Sequence, residues 1–245
     1  MGGRVTLVKL GVLRLVQYES WISSLGYDRE HLVQAKQHEL MGELCVRGAA
    51  IGAFAAPLTY DLAVMVLNSV RAREYARVVE GLSSISPVPL RAMIGQGDTY
   101  PKALSNVVEL ESFTHPELDE PTAAVYVDLN DYYGLLEGGG VYRAYEAAMS
   151  LAERLRRLAV SLGGLAVYTG GDNVLAFLPP EAVDGFAVQA LAEDDVKVGV
   201  GIAPTPRMAV ALSTRALAAI RREGGSKRRG LKLTHEGGTQ WLERG

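Results

Sequence analysis

Residues 165–178 read LAVYTGGDNVLAFL, with Gly170, Gly171, Asp172 and Asn173 at the centre. Two short apolar runs, 165–169 and 174–178, joined by a tight Gly/Asn-rich turn read as a β-hairpin. Pro179 and Pro180 stop the second strand and open a helix over 181–192. A strand over 196–203 follows, and Thr205 with Pro206 starts a closing helix that runs to Arg222. Upstream of the hairpin, Val141, Tyr145, Met149, Ala152, Leu155, Ala159 and Leu162 form one stripe of a helix over 141–162. The β-branched, apolar run 122–129 precedes it as a strand. The order is βαββαβ plus a closing helix.

The first half of the chain repeats this plan. It carries a strand over 7–16, a helix over 28–47, strands over 50–56 and 62–67 about a turn at 57–61, a helix over 71–82 and a strand over 89–94. Thr99-Tyr-Pro-Lys-Ala-Leu-Ser matches Thr205-Pro-Arg-Met-Ala-Val-Ala-Leu-Ser at the head of each closing helix. The polar stretch 109–121, with Pro116 and Pro121, reads as a linker between a half at 1–108 and a half at 122–245. The expected class is α+β: two tandem ferredoxin-like halves, each an antiparallel sheet with helices on one face, packed as a pseudo-dimer. Two unrelated α/β domains are the competing arrangement.

Composition bounds the function. Of 245 residues 48% are hydrophobic, enough for a substantial core, and the net charge of −3 gives no electrostatic case for nucleic acid as a partner. The lone cysteine, Cys45, excludes a disulfide framework, suggests a reducing, cytoplasmic compartment, and reads as a small buried side chain of the first long helix. No apolar run reaches the ~18–20 residues that cross a bilayer, and the N-terminus alternates instead of forming a signal-peptide core. His31 and His38 lie seven apart on one helix face, which suits surface or interface roles.

Chemistry concentrates in the second half. Asp128 closes the first strand in Tyr126-Val127-Asp128-Leu129-Asn130-Asp131, and Asp172 stands at the hairpin turn. In a βαββαβ sheet the first strand and the hairpin are neighbours, so the two carboxylates lie side by side. They can share a hard cation, Mg²⁺ being the usual occupant beside a polyphosphate, with the Leu129 carbonyl as third ligand. Gly170 and Gly171 remove side chains where a phosphate or base must approach the main chain. Taken singly, Asp172-Asn173 also suits a type I′ turn and Asp128 an Asx cap. Arg221, Arg222, Lys227, Arg228, Arg229 and Lys232 form a basic run, which reads either as a solvated helix end or as a triphosphate contact.

The two motifs resemble the palm domains of nucleotidyl cyclases, diguanylate cyclases and family A polymerases. The chain is most similar to the GTP cyclohydrolase III family. The likeness rests on Val127-Asp128-Leu129-Asn130, Gly170-Gly171-Asp172-Asn173 and Lys197-Val198-Gly199-Val200-Gly201-Ile202. It extends to the helix ending Ile220-Arg221, Gln34-Ala35, and Tyr18 with Trp21. The resemblance implies an oligomeric, Mg²⁺-dependent enzyme, with K⁺ a second candidate ion. It would open the imidazole ring of GTP to a formamidopyrimidine ribonucleotide monophosphate and release the β and γ phosphates. It also implies metal ligation by Asp128, Leu129 and Asp172, and substrate contacts from Asn130, Gly170, Gly171, Asn173 and Lys227. The family's aspartate after the first strand of half one is Val16 here, and Asp61 reads as a turn residue. A nucleotidyl-cyclase-like transferase and a non-catalytic GTP-binding regulator are the alternatives.

Overall fold

The computed structural model describes residues 6–59, 61–193, 195–223 and 229–242. Contacts divide the chain into two units: residues 7–98 with 102–120, and residues 121–245 with 1–6 and 99–101.

The second unit begins with β6 (Thr122–Leu129), α5 (Tyr132–Gly139) and α6 (Val141–Ser161), numbered in chain order after the first unit's elements. The hairpin β7 (Leu165–Gly170) and β8 (Asn173–Leu178) follows, then α7 (Val183–Ala192), β9 (Val196–Ala203), α8 (Pro206–Arg222), β10 (Arg229–Thr234) and β11 (Thr239–Leu242). The sheet order is β11-β10-β9-β6-β8-β7. β6 is antiparallel to both neighbours, and Asp128 faces Asn173 on one side and Lys197 on the other.

Both faces of this sheet are covered. Val125 and Val127 of β6 pack with Leu151 and Leu155 of α6, Phe186 of α7, and Val198 and Val200 of β9. Each such fully buried large side chain stabilises by roughly 1.5–3 kcal/mol relative to exposure. Tyr126 points to the other face and joins Ala216, Leu217 and Ile220 of α8 and Leu231 of β10. A Cβ on Gly199 would stand 2.2 Å from the Ser213 carbonyl oxygen, and one on Gly201 2.0 Å from that of Ala209. Bare backbone at these two positions is what lets α8 lie directly on β9. The Thr205 hydroxyl accepts from the Met208 N–H and Pro206 opens the helix, as the sequence predicts.

Three expectations change. The closing helix lies on the face opposite α6 and α7, so the helices are not on one face. β10 pairs with β9 in parallel, so the sheet is not wholly antiparallel. On α6 the buried residues are Ala144, Ala148, Leu151, Ala152, Leu155 and Ala159, whereas Val141 and Tyr145 are exposed. The expected stripe follows the core only from Ala152 onward; over the first turns the buried face is that of Ala144 and Ala148, one position away from Tyr145 and Met149.

The first unit contains β1 (Val8–Leu15), α1 (Tyr18–Ser24), α2 (Glu30–Ala50), β2 (Phe54–Pro57), β3 (Leu62–Val66), α3 (Ala72–Ser83), β4 (Leu90–Gly97), α4 (Tyr100–Ser105) from Lys102 onward, and β5 (Val108–Glu109). Its order, β2-β3-β1-β4-β5, repeats the arrangement about a central first strand. Gly95 carries the next helix as Gly201 does, its Cβ position lying 2.1 Å from the Ala103 carbonyl oxygen. The stretch read as a linker packs on this unit: Glu117 accepts from the fully buried Lys9 ammonium and from the Ala72 N–H. Burial alone would raise the Glu117 carboxyl, but Lys9, the Ala72 N–H and Arg71 together hold it below its ordinary value. Cys45 is exposed, not buried; its thiol faces the Ala55 carbonyl. Among the described residues no helix is long and apolar enough to cross a membrane.

Candidate functional site

The antiparallel ladder assembles the site. β6 runs into the hairpin end, so Asp128 comes level with Asn173, and the Leu129 N–H donates to the Asp172 carbonyl at 3.0 Å. In a strand the N–H and C=O of one residue point the same way, so the Leu129 carbonyl also faces the turn. Gly170 and Gly171 have φ of 101° and 60°, the left-handed region that glycine enters without strain, and open space surrounds both. The Asn173 amide donates to Asp172 Oδ1 at 2.6 Å, which orients that carboxylate. All four residues of the turn and both residues after Val127 are thus brought to one place.

Asp128 is only 3% exposed, and a carboxylate so buried needs compensating charge. Two cations supply it. Arg221, in the last turn of α8, hydrogen-bonds Asp128 Oδ1, and the Lys197 ammonium of β9 lies 3.9 Å from Oδ2. Lys197 also donates to Asn130 Oδ1, and the Asn130 N–H donates to the Asp195 carbonyl at 2.6 Å. Burial raises the Asp128 carboxyl, Arg221 and Lys197 pull it down and Asp172 pushes it up; the balance stays above the ordinary value.

Lys197 was not singled out as a site residue by sequence reasoning, although one signal was present: a lysine interrupting the apolar strand VKVGVGIA, next to Asp128 once β9 borders β6. In the sequence Arg221 stands out as part of the basic run and as the end of the helix that resembles the family's. Of that run, Lys227 and Arg228 lie outside the described residues, and Lys232 pairs with Asp184.

A divalent ion fits the donor set. Among the described residues no group of three or more His, Cys, Asp or Glu side chains converges. Two carboxylates and a carbonyl are what Mg²⁺ uses when water and substrate phosphates complete its octahedron. Asp128, Asp172 and the Leu129 carbonyl are the residues that would hold it.

The first unit has the same geometry with different chemistry. The Leu15 N–H donates to the Asp61 carbonyl as that of Leu129 does to Asp172, and the Val16 N–H to Pro89 as that of Asn130 does to Asp195. Arg14 faces Leu62 and Arg91 where Asp128 faces Asn173 and Lys197. Within the repeat, therefore, Arg14 stands in the Asp128 position, not Val16 as the sequence suggests, and Val16 takes that of Asn130. Asp61 keeps the Asp172 position as a turn residue, accepting from the Thr59 hydroxyl.

Paired carboxylates at the end of the first strand and the hairpin turn of a duplicated βαββαβ sheet define the palm-type α+β class. The profile of the GTP cyclohydrolase III family matches residues 10–235, and the chain belongs to that family of enzymes. GTP cyclohydrolase III of Aeropyrum pernix is 31% identical over 226 residues, 87% of this chain and 92% of the relative. GTP cyclohydrolase III of Saccharolobus solfataricus is 28% identical over 223 residues, covering 87% of this chain and 95% of the relative. Among solved structures, a diguanylate cyclase/phosphodiesterase from Caldicellulosiruptor saccharolyticus is similar at 17% identity and a TM-score of 0.41, over 52% of this chain and 82% of that one.

Proposed function

We propose that this chain is a Mg²⁺-dependent GTP cyclohydrolase III, and that Asp128 and Asp172 hold the metal and the triphosphate. The observation that carries the reading is the meeting of these two carboxylates beside Arg221 and Lys197 in a member of that family. When bound, Mg²⁺ would neutralise phosphate oxygens and lower the pKa of a coordinated water. The chain's own groups do the rest. Gly170 and Gly171 open the turn to a phosphate. Asn173 fixes the Asp172 carboxylate, and Lys197 fixes the Asn130 amide. Lys197 and Arg221 add the positive charge that a triphosphate requires.

The reaction consumes one water to open the imidazole ring with the formyl group retained on nitrogen, and one for each phosphate released. Its test is incubation of the purified protein with GTP and Mg²⁺, read by ultraviolet spectrum, product mass and phosphate assay. The expected result is a formamidopyrimidine ribonucleotide monophosphate with two phosphates per GTP. A cyclic nucleotide with pyrophosphate would make the protein a nucleotidyl cyclase, and GTP bound tightly but recovered intact would make it a regulator.

A further inference from the structure

The Asp128 carboxylate already has a cation on it, and that cation belongs to the protein. Arg221 bonds Oδ1, Lys197 faces Oδ2, and no oxygen of this ligand is left without a positive neighbour. A metal ion approaching Asp128 therefore competes with the chain itself. The two cations are unequal competitors. Lys197 is 16% exposed and committed to Asn130, whereas Arg221 is 54% exposed, on a long side chain at the end of α8, and free to turn outward.

We propose that Arg221 is an exchange residue: it holds Asp128 while the site is empty, leaves when a metal–nucleotide complex arrives, and then pairs with a phosphate of that nucleotide. Two separated pairs replace one: carboxylate with metal, and guanidinium with phosphate. Both new contacts are charge-assisted, and the guanidinium fork suits phosphate as well as carboxylate. A bare divalent ion gains only the first of them and leaves Arg221 without a partner. The site therefore discriminates against free metal and accepts metal and nucleotide together, which is positive coupling between two ligands. Removal of the guanidinium ends the competition at Oδ1 and leaves only Lys197 beside Oδ2.

This inference rests on the metal–nucleotide reading of Asp128 and Asp172, but its main measurement needs no turnover. Binding of Mn²⁺ alone is measured by electron paramagnetic resonance for the wild type, Arg221→Ala and Arg221→Lys, then repeated with a slowly hydrolysed GTP analogue. In the alanine variant Mn²⁺ alone binds about five-fold tighter or better, while the Mn²⁺–analogue complex binds more weakly, so the coupling falls by a larger factor than either. Arg221→Lys keeps the charge and loses the fork. If the contact matters, it also tightens binding of bare Mn²⁺, whereas a through-space charge effect leaves it at the wild-type value and overturns the exchange. If the alanine variant fails to fold, the lysine variant carries the test. Bare-metal affinity that is unchanged or weaker in the alanine variant refutes the proposal while leaving the metal site intact. Absence of Mn²⁺ binding in every form, with or without analogue, overturns both readings.

Discussion

Gly201→Ala tests the seating of α8, on which the Arg221 contact depends. The added Cβ would lie 2.0 Å from the Ala209 carbonyl oxygen, 2.5 Å from the Ser213 nitrogen and 2.9 Å from the Leu212 Cβ. Two of these neighbours are main-chain atoms of a helix and cannot rotate aside. Real Cβ contacts essentially never fall below 3.0 Å, so α8 must lift by about 1 Å. That lift opens the contacts of Ala216, Leu217 and Ile220 with Tyr126 and Leu231. Overpacking of this kind costs about 3 kcal/mol, which lowers the melting midpoint by about 6–12 °C for a chain of this length. Gly185→Ala, in α7, is the matched control: open space surrounds its Cβ position, and the variant should gain about 0.8–1 kcal/mol from helix propensity. Urea titration reads both as shifts of the midpoint at constant slope. A Gly201→Ala midpoint equal to the parent's would mean that α8 does not lie on β9.

Asp128→Asn should abolish Mn²⁺ binding, and its effect on stability should depend on pH. The Asp128 carboxyl is raised in the folded state, so the native protein holds its proton longer and stability falls as pH rises through the raised value. The variant loses that slope, so its stability relative to the wild type should be higher at about pH 7.5 than at about pH 4.5; the opposite order in urea titrations would contradict the assignment. A crystal soaked in Mn²⁺ should show anomalous density beside Asp128 and Asp172 and none beside Leu15 and Asp61, because Arg14 repels a cation there; an equal second peak would disprove the equivalence of Arg14 with Asp128. Lys9→Met should destabilise the first unit by about 3 kcal/mol, since it strips Glu117 and the Val70 carbonyl of a buried donor; an unchanged urea midpoint would count against that pairing.

The parts of the site that a one-dimensional pattern can express were legible in the sequence. Hairpin pairing follows from LAVYT and VLAFL about a glycine turn, and pairing of the first strand with the hairpin puts Asp128 beside Asn173. The position of α8 was encoded more faintly. β6 is buried along nearly its whole length, and continuous burial signals cover on both faces where alternation would signal one. Gly199 and Gly201, two apart on β9, mark the face where a backbone comes close. The short helices α1 and α5 escaped because each starts from a residue in the left-handed region, Gln17 and Asp131, which no propensity announces. The β10–β11 hairpin is harder to read because its strands sit beside a basic run, although Leu231 and Leu233 pack on the α8 face and Leu242 on the other.

The two closing helices differ in length, and this bears on which charge each unit can carry at the end of its first strand. α8 has 17 residues and spans about 25 Å, enough to start at one end of β9 and deliver Arg221 to the other, where Asp128 is. α4 has six residues and spans about 9 Å, so it ends long before the matching end of β4. No side chain from it can neutralise a carboxylate at the close of β1. With so short a helix, an aspartate there would have no cation from the closing helix to balance it. Arginine on the strand itself, at position 14, is compatible with the short helix. The short helix and the arginine at position 14 thus fit one another, and a carboxylate placed at position 14 alone would lack the partner that Arg221 gives Asp128.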